Sequence, residues 1–296
     1  MIEKPTVFVL GAGASFPFGF PIGRALSEHI TTLEPGNHYF ESLITDGGFS
    51  SGEITVLRDA FSRSGVNSID AFLEHRTDLM EIGKAAIARI LIDFEDEARL
   101  FAFSESNWMR YLYEQMHTSF DRFSENRVSF ITFNYDRSLE HFLFLALQNS
   151  HKKSDEKVAE VLSKIQIIHL HGRLDYLPWQ NTSGRAYNRT VDMRTIRACM
   201  AKIKIVHEDI SDGRDRDFET AKHLLNAAEQ IRFLGFGYNS TNISRLGEVI
   251  KQDRDIRGTG YGVTTHEAAA LRRLCSINVH PEMDCIGLLR NYVTWK

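Results

Sequence analysis

The sequence predicts an α/β fold, an open parallel sheet flanked by helices, with a helical insertion after the first βα unit. Three observations predict it. Short, continuous apolar runs rich in β-formers recur at residues 6–10, 128–133, 165–170 and 231–234, as suits strands buried on both faces of a parallel sheet. Each run ends in a cluster of small or polar residues, and amphipathic stretches alternate with the runs. Roughly a hundred residues separate the first run from the second, far more than a βα crossover needs.

Taken in order, the strand at 6–10 runs directly into Gly11-Ala12-Gly13-Ala14-Ser15, a tight turn of small residues, and a helix begins within 21–26. Residues 69–116 contain no proline and one glycine, Gly83, with Phe72, Leu73, Leu79, Ile82, Ala86 and Ile90 at helical spacing. Two or three packed helices are expected there. The insertion thus covers about 31–126, and a single domain has its sheet core in 1–30 and 127–296. The strand at 128–133 ends at Asn134-Tyr135-Asp136, and a helix bearing Leu139, Phe142, Leu143 and Leu147 follows. The strand at 165–170 ends at His171-Gly172, and 173–216 reads as polar and irregular apart from 203–206. A helix at 218–229 feeds the strand at 231–234 and a second glycine turn, Gly235-Phe236-Gly237-Tyr238. A glycine cluster (Gly258, Gly260, Gly262), a short strand near 277–279 and a C-terminal helix complete the pattern.

Composition narrows the function classes. With 43% hydrophobic and 25% charged residues among 296, the chain has the makings of a sizeable core and is neither disordered nor fibrous. A net charge of −4 without a long basic run gives no footprint for nucleic acid. Cys199, Cys275 and Cys285 match neither a zinc site nor a disulfide framework, so reduced thiols in a cytoplasmic protein are expected. The uncharged stretch 6–23 is too short in its apolar part and too rich in Gly and Pro to be a signal peptide or a membrane span.

The unusual residues fall at the carboxyl ends of strands, where open α/β sheets bind ligands. The turn Gly11-Ala12-Gly13-Ala14-Ser15 lets a backbone approach a diphosphate. A conventional dinucleotide fingerprint would place glycine at position 16, where this chain has Phe16. Asn134 and Asp136 place an amide and a carboxylate at a strand end, where either also suits a helix cap. His169 and His171, two residues apart on a strand, would share a face. They offer a general base near neutral pH, a metal-binding pair, or merely two edge histidines. Gly235-Phe236-Gly237-Tyr238, with Thr241 and Asn242, supplies a second glycine turn to the same edge. Gly260-Tyr261-Gly262 and Thr264-Thr265-His266-Glu267 read as loop, with a ribose- or adenine-flanking role as the alternative.

Together with Ser68-Ile69-Asp70-Ala71-Phe72-Leu73, the segments Gly11-Ala12-Gly13-Ala14-Ser15, Thr132-Phe133-Asn134-Tyr135-Asp136, Leu170-His171-Gly172 and Phe233-Leu234-Gly235-Phe236-Gly237-Tyr238 resemble, in this order, the sirtuin-like superfamily and its bacterial NAD-cleaving branch. The resemblance implies a Rossmann-like sheet that binds NAD as substrate and cleaves its nicotinamide–ribose bond. By position, it makes Asn134 the holder of a ribose hydroxyl or the attacking water. It places Asp136 near the nicotinamide end and makes His171 the base. It lines phosphates and ribose with Gly11, Ala12, Gly13, Ala14, Ser15, Phe133, Gly235, Phe236, Gly237, Tyr238 and Asn242. The chain departs from the sirtuin deacylases. It lacks their four-cysteine zinc module, and Gly19-Phe20-Pro21-Ile22-Gly23-Arg24 stands where they carry Gly-Ile-Pro-Asp-Phe-Arg. Acyl-lysine chemistry is therefore not expected.

The resulting expectation is an NAD⁺ glycohydrolase (NADase) yielding nicotinamide and ADP-ribose, with no metal. The branch it resembles supplies antiphage defence effectors that act by NAD depletion. Such an activity must be held off until triggered, so a regulatory or sensor protein in trans, a homo-oligomer, or both are expected. The alternatives are a non-catalytic NAD or ADP-ribose sensing module and a metal-dependent hydrolase built on His169 and His171.

Overall fold

Thr6-Val7-Phe8-Val9-Leu10 carries side chains that suit burial on both sides, and in the computed structural model it is β1 (Thr6–Leu10), every residue buried. The structure describes residues 1–205, 216–247, 250 and 254–296. After β1 come α1 (Ala12–Ser15), α2 (Gly23–Thr31), α3 (His38–Thr45), α4 (Ser51–Ser62), α5 (Ile69–His75), α6 (Met80–Ile92), α7 (Glu97–Leu100) and α8 (Trp108–Met116). Then follow β2 (Val128–Thr132), α9 (Ser138–His151), α10 (Asp155–Leu162), β3 (Ile167–His169), α11 (Met193–Met200), α12 (Arg216–Ala227), β4 (Gln230–Leu234) and α13 (Ser240–Arg245). The last elements are β5 (Asp255–Thr259), α14 (Thr265–Cys275), β6 (Asn278–His280) and α15 (Cys285–Tyr292).

The six strands form one sheet in the order β3-β2-β1-β4-β5-β6, every pairing parallel. The order reverses between β1 and β4, the place where an open α/β sheet leaves a crevice at its carboxyl edge. Register fixes what meets there. Leu10 pairs with Thr132 on one side and Leu234 on the other, so the segments starting at Gly11, Phe133 and Gly235 leave the sheet level with one another.

Alternation along the strands divides the core in two. Phe8, Leu10, Phe130 and Leu234 join the insertion residues Trp108 and Leu112 on one face. Val7, Val9, Ile131 and Phe233 meet residues of α12 to α14, such as Leu225, Ile243 and Cys275, on the other. The insertion is organised around α6, whose residues from Ile82 to Ile92 are all buried. It is keyed into the first turn by Trp108, fully buried, whose Nε1 donates to the Ala14 carbonyl at 2.7 Å.

Several elements differ from the sequence expectation. The stretch 69–116 holds four helices, because Asp96 caps α7 and Asn107 caps α8, punctuating the chain without Gly or Pro. Within 173–205, α11 starts at its Asp192 cap and buries only Ile196 and Cys199, too few for a visible period; residues 206–215 of that stretch lie outside the described residues. The Gly258 cluster contains a strand, β5. Thr264 and Glu267 form a capping box that starts α14. Among the described residues no helix is long and apolar enough to cross a membrane. The three cysteines are all buried.

Candidate functional site

At the switch point the two glycine turns press backbone against backbone. Gly11 N–H donates to the Leu234 carbonyl at 3.0 Å and Gly13 N–H to the Gly235 carbonyl at 2.9 Å. A Cβ on Gly235, at φ +57°, would lie 2.0 Å from Ala14 N, and one on Gly11 2.6 Å from the Gly235 carbonyl oxygen. Closeness of the two turns thus requires these glycines, and the Gly11 and Gly13 amides are engaged within the protein. Phe16 is in helical conformation (φ −58°, ψ −41°) and 62% exposed, so no glycine is needed at that position. Ala12 and Gly13 stay half-exposed at the crest while Ala14 and Ser15 are buried.

Beside this crest, Asn134 is held from three directions. Its N–H donates to Thr132 Oγ1 at 3.0 Å, and its Nδ2 donates to the Gly11 carbonyl at 2.9 Å and to Ser15 Oγ at 3.1 Å. Ser15 Oγ in turn donates to Asp136 Oδ2 at 2.6 Å, and Asp136 Oδ1 accepts from Ser138 N–H at 3.1 Å. The Gly11 carbonyl can only accept, so the nitrogen of the Asn134 amide must face it. The oxygen Oδ1 is left as the group this half-buried side chain offers to a ligand. Asp136 is buried and both its oxygens are engaged; one accepts from the N–H of Ser138, the first residue of α9, and the other orients Ser15. A cavity of about 10 Å³ beneath the network, lined by Ser15, Trp108, Thr132, Asn134, Asp136 and Glu140, is at the lower limit for one water.

The strand carrying the histidines ends at His169, so its two-residue period does not extend to His171. The chain turns there because Gly172, at φ +71°, approaches Lys202 so closely that a Cβ would lie 1.9 Å from its carbonyl. His169 is buried, with Nδ1 3.1 Å from the Asn134 carbonyl and Nε2 2.6 Å from Glu140 Oε1. Both ring nitrogens thus face oxygens, and the ring bridges the Asn134 carbonyl to the buried Glu140 carboxylate. Burial pushes the Glu140 carboxyl up, but the charge and hydrogen bond of His169, with Arg173 beyond, outweigh it and hold the group at about 2. His169 is thus built into the support of Asn134. Among the described residues no three His, Cys, Asp or Glu side chains are grouped to hold a metal.

His171 is buried at the same edge, edge-on to Phe133 at 5.3 Å and 6.2 Å from the Tyr135 ring. Phe133 packs edge-on against Phe236 at 5.0 Å. These rings, from the segments after β2, β3 and β4, cover the edge together. Tyr238 (φ +51°) turns inward and donates its hydroxyl to the Thr259 carbonyl at 2.7 Å. Gly237 is exposed with nothing near its Cβ position, and Asn242 is half-buried on α13. The structure therefore brings Gly11 to Ser15, Phe133, Asn134, Asp136, His171, Gly235 and Phe236 to one place, and gives Tyr238 a packing role.

Three pairings escape a reading of the sequence alone. Tyr135 donates its hydroxyl to Asp70 on α5, joining two segments 65 residues apart in sequence. Glu140 supports His169. Arg137, fully buried, pairs with Glu95 through Nε at 2.9 Å and Nη2 at 2.7 Å, and Arg185 joins them. That cluster ties the segment after β3 to the insertion immediately behind Asp136. The hint in sequence is a pair of charged residues, Arg137 just before α9 and Glu140 within its first turn, beside the apolar Leu139, Phe142 and Leu143.

A larger hollow of about 340 Å³ opens at the amino ends of β1 and β2, near Thr6, Val128 and Lys164. It is at the edge opposite the polar residues, away from the switch-point crevice, so we place the site at the carboxyl edge. Burial pushes the Cys199 and Cys285 thiols up to about 11 and about 12, which argues against either as a nucleophile. No protein-family model and no curated protein matches this sequence.

Proposed function

We propose that the chain is an NAD⁺ glycohydrolase that cleaves the nicotinamide–ribose bond to release nicotinamide and ADP-ribose. The observation that carries this reading is Asn134, locked at the switch point by Gly11 and Ser15 so that only its amide oxygen remains to meet a ligand. The reading also rests on the resemblance of the ordered motifs to the bacterial NAD-cleaving branch.

Nicotinamide leaves with the electron pair of the C–N bond and becomes neutral, so the ribose passes through an oxocarbenium-like state. The pocket must hold the ribose, exclude bulk water and orient one nucleophile. Asn134 Oδ1 accepts from a ribose hydroxyl or from the attacking water. The water oxygen bonds to the ribose carbon while its proton passes to His171. Asp136 acts through Ser15 to hold Asn134 in place and is in this reading a positioning residue. Phe133 and Phe236 supply the apolar wall.

His171 is only 6% exposed behind those rings, so substrate must displace them to reach it. This favours an effector held off until a partner protein or self-assembly opens the edge, in keeping with antiphage defence by NAD depletion in the cytoplasm. The same burial favours, as a second reading, a module that senses NAD or ADP-ribose without turnover.

The test is NAD⁺ consumption at high protein concentration, with products resolved by chromatography, for wild type, Asn134→Ala and His171→Ala. Each substitution is expected to lower turnover by about 100-fold or more while thermal unfolding stays cooperative. Near-normal cleavage by both variants refutes the site. Binding of NAD⁺ without cleavage selects the sensing module, and absence of binding removes the nucleotide reading.

A further inference from the structure

Arg245, at the end of α13, is a cation whose partners do not satisfy it. Its Nη2 lies 3.5 Å from Glu74 Oε1, at the outer limit of a hydrogen bond, and its Nη1 is buried without a hydrogen-bond partner. The side chain is 19% exposed. Buried guanidinium donors are normally satisfied, and an exception calls for a ligand, an ion or strain to explain it.

Its position supplies the explanation. Ile243 and Leu246 anchor α13 in the core on one sheet face, whereas Ile69, Phe72 and Leu73 anchor α5 in the core on the other. The contact between Arg245 and Glu74 therefore passes over the carboxyl edge of the sheet. Asp70, which receives the Tyr135 hydroxyl, stands on the same face of α5 one turn before Glu74. Four residues of helix separate these two anchor points by about 6 Å. So α5 lies across the edge from the segment after β2 to the helix after β4, and in the order β2-β1-β4 the crest Ala12-Gly13 lies between them. Asn242, one turn before Arg245, shares its side of α13.

We propose that Arg245 is the anion-binding residue of this crevice, that it receives the diphosphate of a dinucleotide, and that Glu74 is its resting partner. This rests on the nucleotide reading of the site. A guanidinium binds phosphate oxygens through paired, charge-assisted hydrogen bonds, which a single carboxylate oxygen at 3.5 Å does not provide. A diphosphate that takes over Arg245 separates it from Glu74, removing a contact that holds α5 across the edge. Binding of the anion and loosening of α5 are then the same event.

The experiment measures binding of ADP-ribose and of adenosine by calorimetry to wild type, Arg245→Gln and Glu74→Gln. Arg245→Gln is expected to weaken ADP-ribose about tenfold or more while leaving adenosine within about twofold. Glu74→Gln, which frees the guanidinium, is expected to tighten ADP-ribose several-fold. Equal affinity of wild type and Arg245→Gln for ADP-ribose overturns the proposal and leaves the nucleotide reading standing. Parallel loss of both ligands also overturns it, since that marks a damaged site. No ADP-ribose binding to wild type removes the nucleotide reading and the proposal with it.

Discussion

On the β3-β2-β1 side of the carboxyl edge, Ser15, Asn134, Asp136, His169 and Glu140 hold one another through side-chain hydrogen bonds of 2.6 to 3.1 Å. On the β4-β5 side the turn is held by backbone contact and rings: Gly235 against Gly13, Phe236 against Phe133, and Tyr238 filling the space a Cβ on Gly258 would take. The first half presents a fixed acceptor, held by a connected network of directional hydrogen bonds. The second half shapes the crevice through closeness of approach, and its aromatic cover can shift without breaking a charge pair. Polar anchoring and aromatic cover thus fall to different halves.

The comparison breaks most visibly at Gly235. Gly235→Ala forces a side chain into Ala14 N at a left-handed backbone position, and a loss of about 3 kcal/mol or more, or failure to fold, is expected in urea denaturation. Stability within 1 kcal/mol of wild type would mean that the two turns do not need to touch.

A second break is by acid. The Glu140 carboxyl falls from its ordinary value of 4.5 to about 2 on folding. Its contribution is therefore complete above pH 4.5 and is lost as the pH falls from there toward 2. On the order of 3 kcal/mol of acid sensitivity should trace to this group. The acid limb of the stability curve should be visibly shallower in Glu140→Gln, and identical limbs would remove the ion pair with His169 from the account.

The smallest effect sharpens the comparison. Tyr238→Phe leaves the Thr259 carbonyl without the Tyr238 hydroxyl and should cost about 1 kcal/mol in stability with no change in ADP-ribose affinity. A weakened affinity would return Tyr238 to the binding surface.

Legibility in sequence follows the same division. The strands β1, β2 and β4 were readable because burial on both faces leaves continuous apolar runs. By contrast, β5 was hidden because Asp255 and Arg257 alternate with Ile256, and Gly258 is a glycine to make room for Tyr238. Asn134, Asp136 and His171 were visible as polar residues at strand ends. Their supports were not, since Asp70, Glu95 and Glu140 reach their partners across 29 to 65 residues of chain. No local pattern encodes such pairs. The Thr264–Glu267 capping box does carry a local signature, S/T-x-x-E.

The central strand has a consequence for synthesis. β1 is complete as soon as Leu10 is made, yet its neighbour β4 meets it across 224 positions of chain, as Gln230 and Thr6 show. Closing so distant a pairing is slow and must follow translation of everything between. Until β4 has been made, the Gly235 turn, Phe236 and Arg245 do not exist, and Asn134 stands at an open edge. A ribosome that stalls or releases early therefore yields a fragment without a crevice. For a protein proposed to consume a dinucleotide its own cell needs, the topology itself is a safeguard during manufacture.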